Sequence, residues 1–350
     1  MTSARPIPWV ADKRVNWERV QALLDESAAQ NHWSNFGPVS RRLEQRIAEL
    51  LNVDAGFAVV ATSSGTAALD AVSALEEHKR GQPPRWAVSS FGFHCTNLGP
   101  FRHAEILDCD AEAILDLAVA RVIVDRFDSI VMTNVFGTVA DLSPYIDFAR
   151  EEDKMLVVDA AASFDSSHRR SLGQRQPLET LSFHHTKPWG FGEGGALIVP
   201  KEDASLARSV VNFGLVSNRP VASVATNAKM SDIAAAFILS WLEDIDVLRE
   251  QTTEQFHRIA RLAVDQGWRV LGGANRSADH GVPACVPLVA PHGVALESRD
   301  DAPLVFRKYY EPLGPTPVAH ELFIRMLNVP CHPDVGVLTD GELRQSLSLT

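Results

Sequence analysis

Short apolar runs alternate with stretches of helical periodicity through the first two thirds of the chain. No other feature constrains the fold as much. The runs that read as strands are Phe57 to Val60, Trp86 to Ser89, Ala104 to Leu107, Ser129 to Thr133, Met155 to Val158 and Ala196 to Val199. Apolar residues recur at helical spacing over Trp17 to Ala29, over Val39 to Leu51, from Ala67 onward and over Pro144 to Glu152. Strands linked by helices predict an α/β fold with a mostly parallel central sheet and helices on both faces. Ser231 to Ala263 reads as one long helix or two in series. After Gly267 the pattern is mixed, with Pro-rich turns near Pro283, Pro312 to Pro317 and Pro330 to Pro333. The expected division is a large domain over residues 1–243, including an N-terminal helical segment, and a small C-terminal α+β domain over residues 244–350.

The chain has 350 residues, enough for two cores, and a net charge of −11. That balance argues against nucleic acid as a partner, because sequence-independent binding needs a basic face. It still allows an anionic small ligand, since a few local N–H groups outweigh a diffuse charge. Ile233 to Leu242 is the longest strongly apolar stretch and is too short to span a bilayer. Met1 to Asp12 contains no apolar signal core. Cys95, Cys109, Cys285 and Cys331 are widely spaced and form no CxxC pair, which reads as buried thiols in a reducing compartment. A cytoplasmic location away from any membrane is expected.

Three segments carry chemistry. In Thr62-Ser63-Ser64-Gly65-Thr66-Ala67, small residues sit between a strand and a helix start. Either Ser and Thr simply cap the helix, or Gly65 turns the chain so that the Thr66 and Ala67 amides form a phosphate seat at the positive end of the dipole. In Met155 to Ser163, Asp159 closes an apolar strand and small residues follow. A carboxylate there suits a metal, a ribose hydroxyl, a protonated pyridine nitrogen or a simple turn cap. In Ser182 to Leu197, Lys187 stands in an aromatic, glycine-rich setting with a hydroxyl, Ser182, five residues earlier. Desolvation disfavours an ammonium, and a neutral amine attacks aldehydes.

The last segment resembles the Schiff-base motif of the DegT/StrS-like sugar aminotransferases. These are fold-type I enzymes dependent on pyridoxal 5′-phosphate (PLP). The family pattern is Ser-Phe-His-x-x-Lys, a short stretch, then Gly-Glu-Gly-Gly-Ala. Here it reads Ser182-Phe183-His184-His185-Thr186-Lys187, then Gly192-Glu193-Gly194-Gly195-Ala196. Ser64-Gly65-Thr66-Ala67-Ala68-Leu69 and Asp159-Ala160-Ala161 precede it in family order, and Asp159 lies 28 residues before Lys187. The likeness extends to Trp33-Ser34-Asn35-Phe36-Gly37-Pro38, Asn227 to Ser231, Arg307 to Tyr310 and Pro330 to His332.

The resemblance implies a PLP-dependent transferase fold of type I and a role for each matching residue. Lys187 would hold the cofactor as a Schiff base and carry the proton. Asp159 would pair with the pyridinium nitrogen. Gly65, the Thr66 and Ala67 amides and Ser182 would seat the phosphate. Phe93 would lie against the ring. Asn227 would reach the phosphate of the other subunit in a homodimer with shared active sites. Many family members carry Gln or His three residues after the aspartate, contacting the cofactor 3-oxygen, where this chain has Ala162. Asn134 follows another expected strand and is the candidate replacement.

The expected activity is transfer of an amino group, from L-glutamate as donor, to a keto group of a nucleotide-linked sugar. Trp33, Asn35, His184 and His185 are candidates for the substrate side. A PLP- or pyridoxamine-phosphate-dependent sugar dehydratase, and a non-catalytic regulatory protein on the same fold, remain alternatives. The retained Lys187 argues against both. Adjacent histidines in an extended segment point apart, so no metal is expected at His184 and His185.

Overall fold

The computed structural model describes residues 5–349 apart from 139, 167–171, 173–175, 217–218, 221–224 and 275–280. Seven strands form the main sheet: β1 (Phe57–Thr62), β2 (Trp86–Ser89), β3 (Glu105–Leu107), β4 (Ser129–Thr133), β5 (Met155–Asp159), β6 (Leu178–Ser182) and β7 (Gly195–Pro200). Their order is β1-β7-β6-β5-β4-β2-β3. Pairs β2·β3, β2·β4, β4·β5 and β5·β6 are parallel, and β7 runs antiparallel to both its neighbours. The sheet is therefore mostly parallel, as the alternation predicted. β6 was not among the expected strands. Glu179 and Thr180 interrupt its apolar run, yet both are buried in the sheet.

The helices are α1 (Trp17–Gln30), α2 (Pro38–Leu50), α3 (Gly65–Arg80), α4 (Leu117–Val122), α5 (Ser143–Glu151), α6 (Ala204–Val210), α7 (Asp232–Leu242), α8 (Ile245–Val264), α9 (Pro317–Arg325) and α10 (Asp340–Ser346). The segment from Ser231 is thus two helices in series. One face of the sheet packs on α2, α5 and α7 through Leu43, Ile47, Phe148 and Leu239. The other packs on α3 and α6 through Leu69, Val72, Leu75 and Val210. Buried charges tie these layers together. The Arg208 guanidinium of α6 makes two bonds of 2.7 Å to the Glu44 carboxylate of α2, which also accepts the Ala61 amide of β1 at 2.9 Å.

A two-stranded hairpin follows, β8 (Leu215–Val216) with β9 (Arg219–Pro220). The C-terminal part has an antiparallel sheet of β10 (Arg269–Val270), β11 (Val286–Val289) and β12 (Met326–Val329). Helix α8 spans both cores: Ile245 packs with the large one, while Phe256, Ile259 and Leu262 pack with the small one. The N-terminal arm also reaches the small core. Ile7 bridges to Leu304, and its amide donates to Pro303 O at 2.7 Å. None of the four cysteines forms a disulfide, and Cys109, Cys285 and Cys331 are buried. Among the described residues no helix is long and apolar enough to cross a membrane.

This topology decides where chemistry is placed. Strands β1, β4, β5 and β6 all run the same way, so Thr62, Thr133, Asp159 and Ser182 close on one edge of the sheet. Ligands in open α/β sheets bind outside that carboxyl edge.

Candidate active site

A cavity of about 720 Å³ opens at this edge. Its wall includes Ser64, Gly65, Thr66, Asp159, Ser182 and Lys187. Residues spread over more than a hundred positions of sequence therefore share one hollow.

Helix α3 points its N-terminus into it. Ser64 is the cap: its hydroxyl accepts the Ala67 amide at 3.1 Å. The Ala67 amide is therefore taken, and Ala67 is not in the cavity wall, contrary to the expected seat. The Gly65 and Thr66 amides head the helix, where no intrahelical carbonyl is available to them. The capping reading of this segment is what the Ser64–Ala67 bond shows, and Gly65 and Thr66 line the cavity beside it. Close packing requires the glycines here. A Cβ on Gly195 would lie 2.3 Å from the Ser64 carbonyl carbon, and one on Gly65 would lie 3.0 Å from Ser182 Cβ. Strand β7 can lie against the start of α3 only without a side chain.

Asp159 is 2% exposed, and its Oδ1 accepts the Ala161 amide at 2.9 Å. Burial raises its pKa, while the Ala161 bond and the Lys187 charge oppose the rise. Burial lowers the Lys187 pKa, with the Asp159 carboxylate opposing. Each residue thus sits in the other's field, and a buried carboxylate of this kind favours a cationic partner.

Lys187 sits in a braced turn between β6 and β7. Its amide donates to His184 O at 2.8 Å, and Gly190 N donates to Lys187 O at 2.9 Å. Trp189 is fully buried and its indole N–H donates to Ser182 O at 2.9 Å. Lys13 supplies a brace that the sequence did not suggest. Its ammonium donates to His185 O at 2.7 Å, Lys187 O at 2.5 Å and Gly190 O at 2.5 Å. Burial pulls the Lys13 pKa down from 10.5 to about 7. The three carbonyl acceptors work in the opposite sense, since hydrogen bonds to the charged form favour it.

Of the remaining expected residues, Phe93 lines the cavity mouth, with its ring edge-on to Tyr310 at 6.1 Å. His184 also lines it, with Nδ1 2.8 Å from Thr186 Oγ1 and Nε2 3.3 Å from Glu193. His185 turns away, edge-on to Phe191 at 5.5 Å. Trp33 and Asn35 are outside the wall; Trp33 O accepts the Asp232 amide at 3.0 Å. Asn227 is exposed, and its Oδ1 accepts Lys229 Nζ at 2.5 Å. Asn134 does not reach the hollow. It is fully buried, its amide group donates to Ser163 Oγ at 3.4 Å, and its Oδ1 accepts the Ala140 amide at 3.5 Å. Strand geometry explains this: neighbouring residues face opposite sides. Thr133 takes the inward place, beside Cys95, Cys285, Phe136 and Tyr310. Among the described residues no group of three His, Cys, Asp or Glu is arranged to hold a metal.

Comparison with known proteins adds the family. The sequence profile of the DegT/DnrJ/EryC1/StrS aminotransferase family matches residues 16–339. Protein Rv3402c of Mycobacterium tuberculosis is 29% identical over 303 residues, covering 81% of this chain and 72% of that one. The dTDP-4-amino-4,6-dideoxy-D-glucose transaminase of Shigella dysenteriae is 26% identical over 227 residues, 61% of this chain and 58% of that one. Among solved structures, DesI in the presence of its TDP-sugar product superposes with a TM-score of 0.77 at 24% identity, covering 98% of this chain and 92% of that one.

Proposed function

The chain belongs to the DegT/DnrJ/EryC1/StrS aminotransferase family, and from that premise we propose that it moves an amino group from L-glutamate to a keto group of a nucleotide-linked sugar, with PLP bound at Lys187. The observation that carries this reading is the meeting of Lys187, Asp159 and the head of α3 in one cavity.

The residues present fit the cofactor. The Gly65 and Thr66 amides with the Ser182 hydroxyl form an anion seat, where a phosphate is favoured by free N–H groups and the helix dipole. Asp159, buried and in need of a cation, would keep a pyridine nitrogen protonated. Phe93 offers an apolar surface at the mouth. When bound, PLP supplies an aldehyde for amines and a ring that withdraws electrons from the adjoining carbon.

This chain's residues do the rest. Lys187 Nζ, tilted toward the neutral amine by burial, acts as nucleophile and then as base at the donor α-carbon. It returns a proton at the sugar carbon that receives the amine. The braced turn limits the arc over which Nζ swings, and positioning of this kind contributes strongly to rate. Phe136, Tyr309, Tyr310 and Trp9 wall the hollow with aromatic surface and reduce access of water. The cavity lies within the ~300–1,000 Å³ typical of ligand sites, with room for a sugar beside a cofactor.

The exposed Asn227 fits a homodimer in which it serves the partner's phosphate seat. A cytoplasmic setting is proposed with it. The transaminase name of the Shigella relative supports the sugar substrate.

The test is direct. Purified protein should take up PLP and turn yellow, and borohydride should fix a cofactor-sized mass on the Lys187 peptide. Glutamate labelled with ¹⁵N should pass its label to one of a panel of nucleotide keto-sugars. A protein that never takes up added PLP ends this reading. Loss of the keto-sugar without consumption of glutamate would favour the dehydratase alternative.

A further inference from the structure

The cavity wall contains a hydroxyl with no work to do. Thr133 is 5% exposed, and among the described residues its Oγ1 has no hydrogen-bond partner. Its amide is engaged with Ser89 Oγ at 3.0 Å, so the residue is held in place while its side chain is free. A buried hydroxyl left unpaired is costly, and such atoms call for an explanation.

The sheet explains it. Thr133 closes β4 and is the register partner of Asp159, which closes β5. Ser182 closes β6, on the other side of Asp159. Paired residues of adjacent strands project from the same face about 4.8 Å apart. Thr180 is the β6 partner of Asp159, so Ser182 lies two residues further along the same face, and the three positions follow in strand order: Ser182 with the head of α3 on β6, Asp159 on β5, Thr133 on β4. A 3-hydroxypyridine with a phosphate arm has a matching order. Its arm and its 3-oxygen lie on opposite sides of the line from ring nitrogen to aldehyde carbon. With the nitrogen at Asp159 and the phosphate toward Ser182 and Gly65, the 3-oxygen comes to the β4 side.

We propose that Thr133 Oγ1 donates the hydrogen bond to the 3-oxygen of the bound cofactor, the task for which Ala162 has no polar atom and for which Asn134 is turned away. The inference rests on PLP occupying this cavity as read above. Tyr310 is the rival donor, since it also lines the cavity.

The test uses the PLP-loaded protein and two readouts that need no turnover. One is the pH at which the visible absorbance of the cofactor–lysine linkage changes; the other is the PLP dissociation constant. A donor to the 3-oxygen stabilises its anionic form, so losing the donor makes that oxygen hold the shared proton more tightly. Thr133→Val keeps shape and packing and removes the hydroxyl. It should move the absorbance transition to higher pH and weaken PLP binding about five- to tenfold, the effect of losing one hydrogen bond. Thr133→Ser should stay near wild type. The other titrating groups of the wall are unchanged in both variants: Asp159 and Lys187, the Cys95 and Cys285 thiols, Tyr309 and Tyr310, and the His184–Glu193 pair. A Thr133→Val protein with wild-type transition and affinity overturns the inference while leaving the PLP reading intact. So does a shift produced by Tyr310→Phe in its place. A wild-type protein that binds no PLP overturns the PLP reading itself.

Discussion

The Lys13 ammonium donates to the main-chain carbonyl of Lys187 at 2.5 Å, across 174 residues of sequence. Its other two acceptors, His185 O and Gly190 O, bracket the same turn, so one cation holds the backbone from which the Lys187 side chain projects. The arm that carries Lys13 is anchored on the small core through Ile7 and through Pro8 O, which lies 2.9 Å from His332 Nε2. The arm therefore ties the small core to the lysine turn.

Lys13→Met removes a donor from three carbonyls in a half-buried site, of which Lys187 O keeps the Gly190 amide. Stability should fall by about 1–3 kcal/mol, measured by urea unfolding. Turnover should fall by about 10- to 100-fold through a looser Nζ, with the amount of PLP bound at saturation unchanged. Lys13→Arg, which keeps a donor cation, should recover part of both. A Met variant with wild-type turnover would show that the brace serves folding alone.

Cofactor uptake by the apoprotein should depend on pH through Lys187. The neutral amine is the attacking form, and burial places its pKa below the ordinary 10.5. The uptake rate, followed by absorbance, should therefore rise with pH and level off below pH 10.5. Asp159→Asn removes the carboxylate that opposes the shift, so levelling should occur at still lower pH. A rate that climbs steadily past the ordinary lysine value would contradict the desolvated site.

Gly195→Ala tests the close approach of β7 to α3. The added methyl would meet the Ser64 backbone at 2.3 Å, and backbone cannot rotate away. The cost should reach or exceed the upper end of the about 1–3 kcal/mol typical of overpacking. Loss of the phosphate seat should appear as weakened binding of PLP and of inorganic phosphate. Gly192, with open space around its Cβ position but φ of +64°, should be far less affected by Asn, which tolerates that conformation.

Arg208→Met should cost about 3 kcal/mol, because it leaves the buried Glu44 carboxylate with only the Ala61 amide and the more distant Arg41 guanidinium at 3.7 Å. It also removes one of the two guanidinium groups flanking the Phe36 ring, Arg208 at 5.0 Å and Arg41 at 5.3 Å. Thermal unfolding and proteolysis around residues 33–37 would report these effects. Glu44→Gln with Arg208→Met should recover part of the loss, since no buried carboxylate remains and Arg41 is exposed enough to be solvated.

Local sequence carried the α/β reading because buried parallel strands are continuous apolar runs, and such runs were visible at six of the seven strands. The run at Glu105–Leu107 was legible to within a residue. β6 was not, since its buried Glu179 and Thr180 break the apolar signal and only the sheet around them makes the segment a strand. The break between α7 and α8 at Glu243 and Asp244 was open for a similar reason: an amphipathic pattern continues through a short turn without interruption.

Lys187, Asp159 and the Ser64 helix cap could be singled out in the sequence, because each depends on residue type and on immediate neighbours. Which of two adjacent residues faces the hollow was not. Strand pleat puts Thr133 inward and Asn134 outward, and the phase of that alternation is set by pairing with β2 and β5. Nor could the sequence join Lys13 to Lys187, since no periodicity links an arm to a turn so far along the chain. Local chemistry chose the groups, and long-range packing chose their partners, because hydrogen bonds and burial act over a few ångströms that only the folded chain brings together.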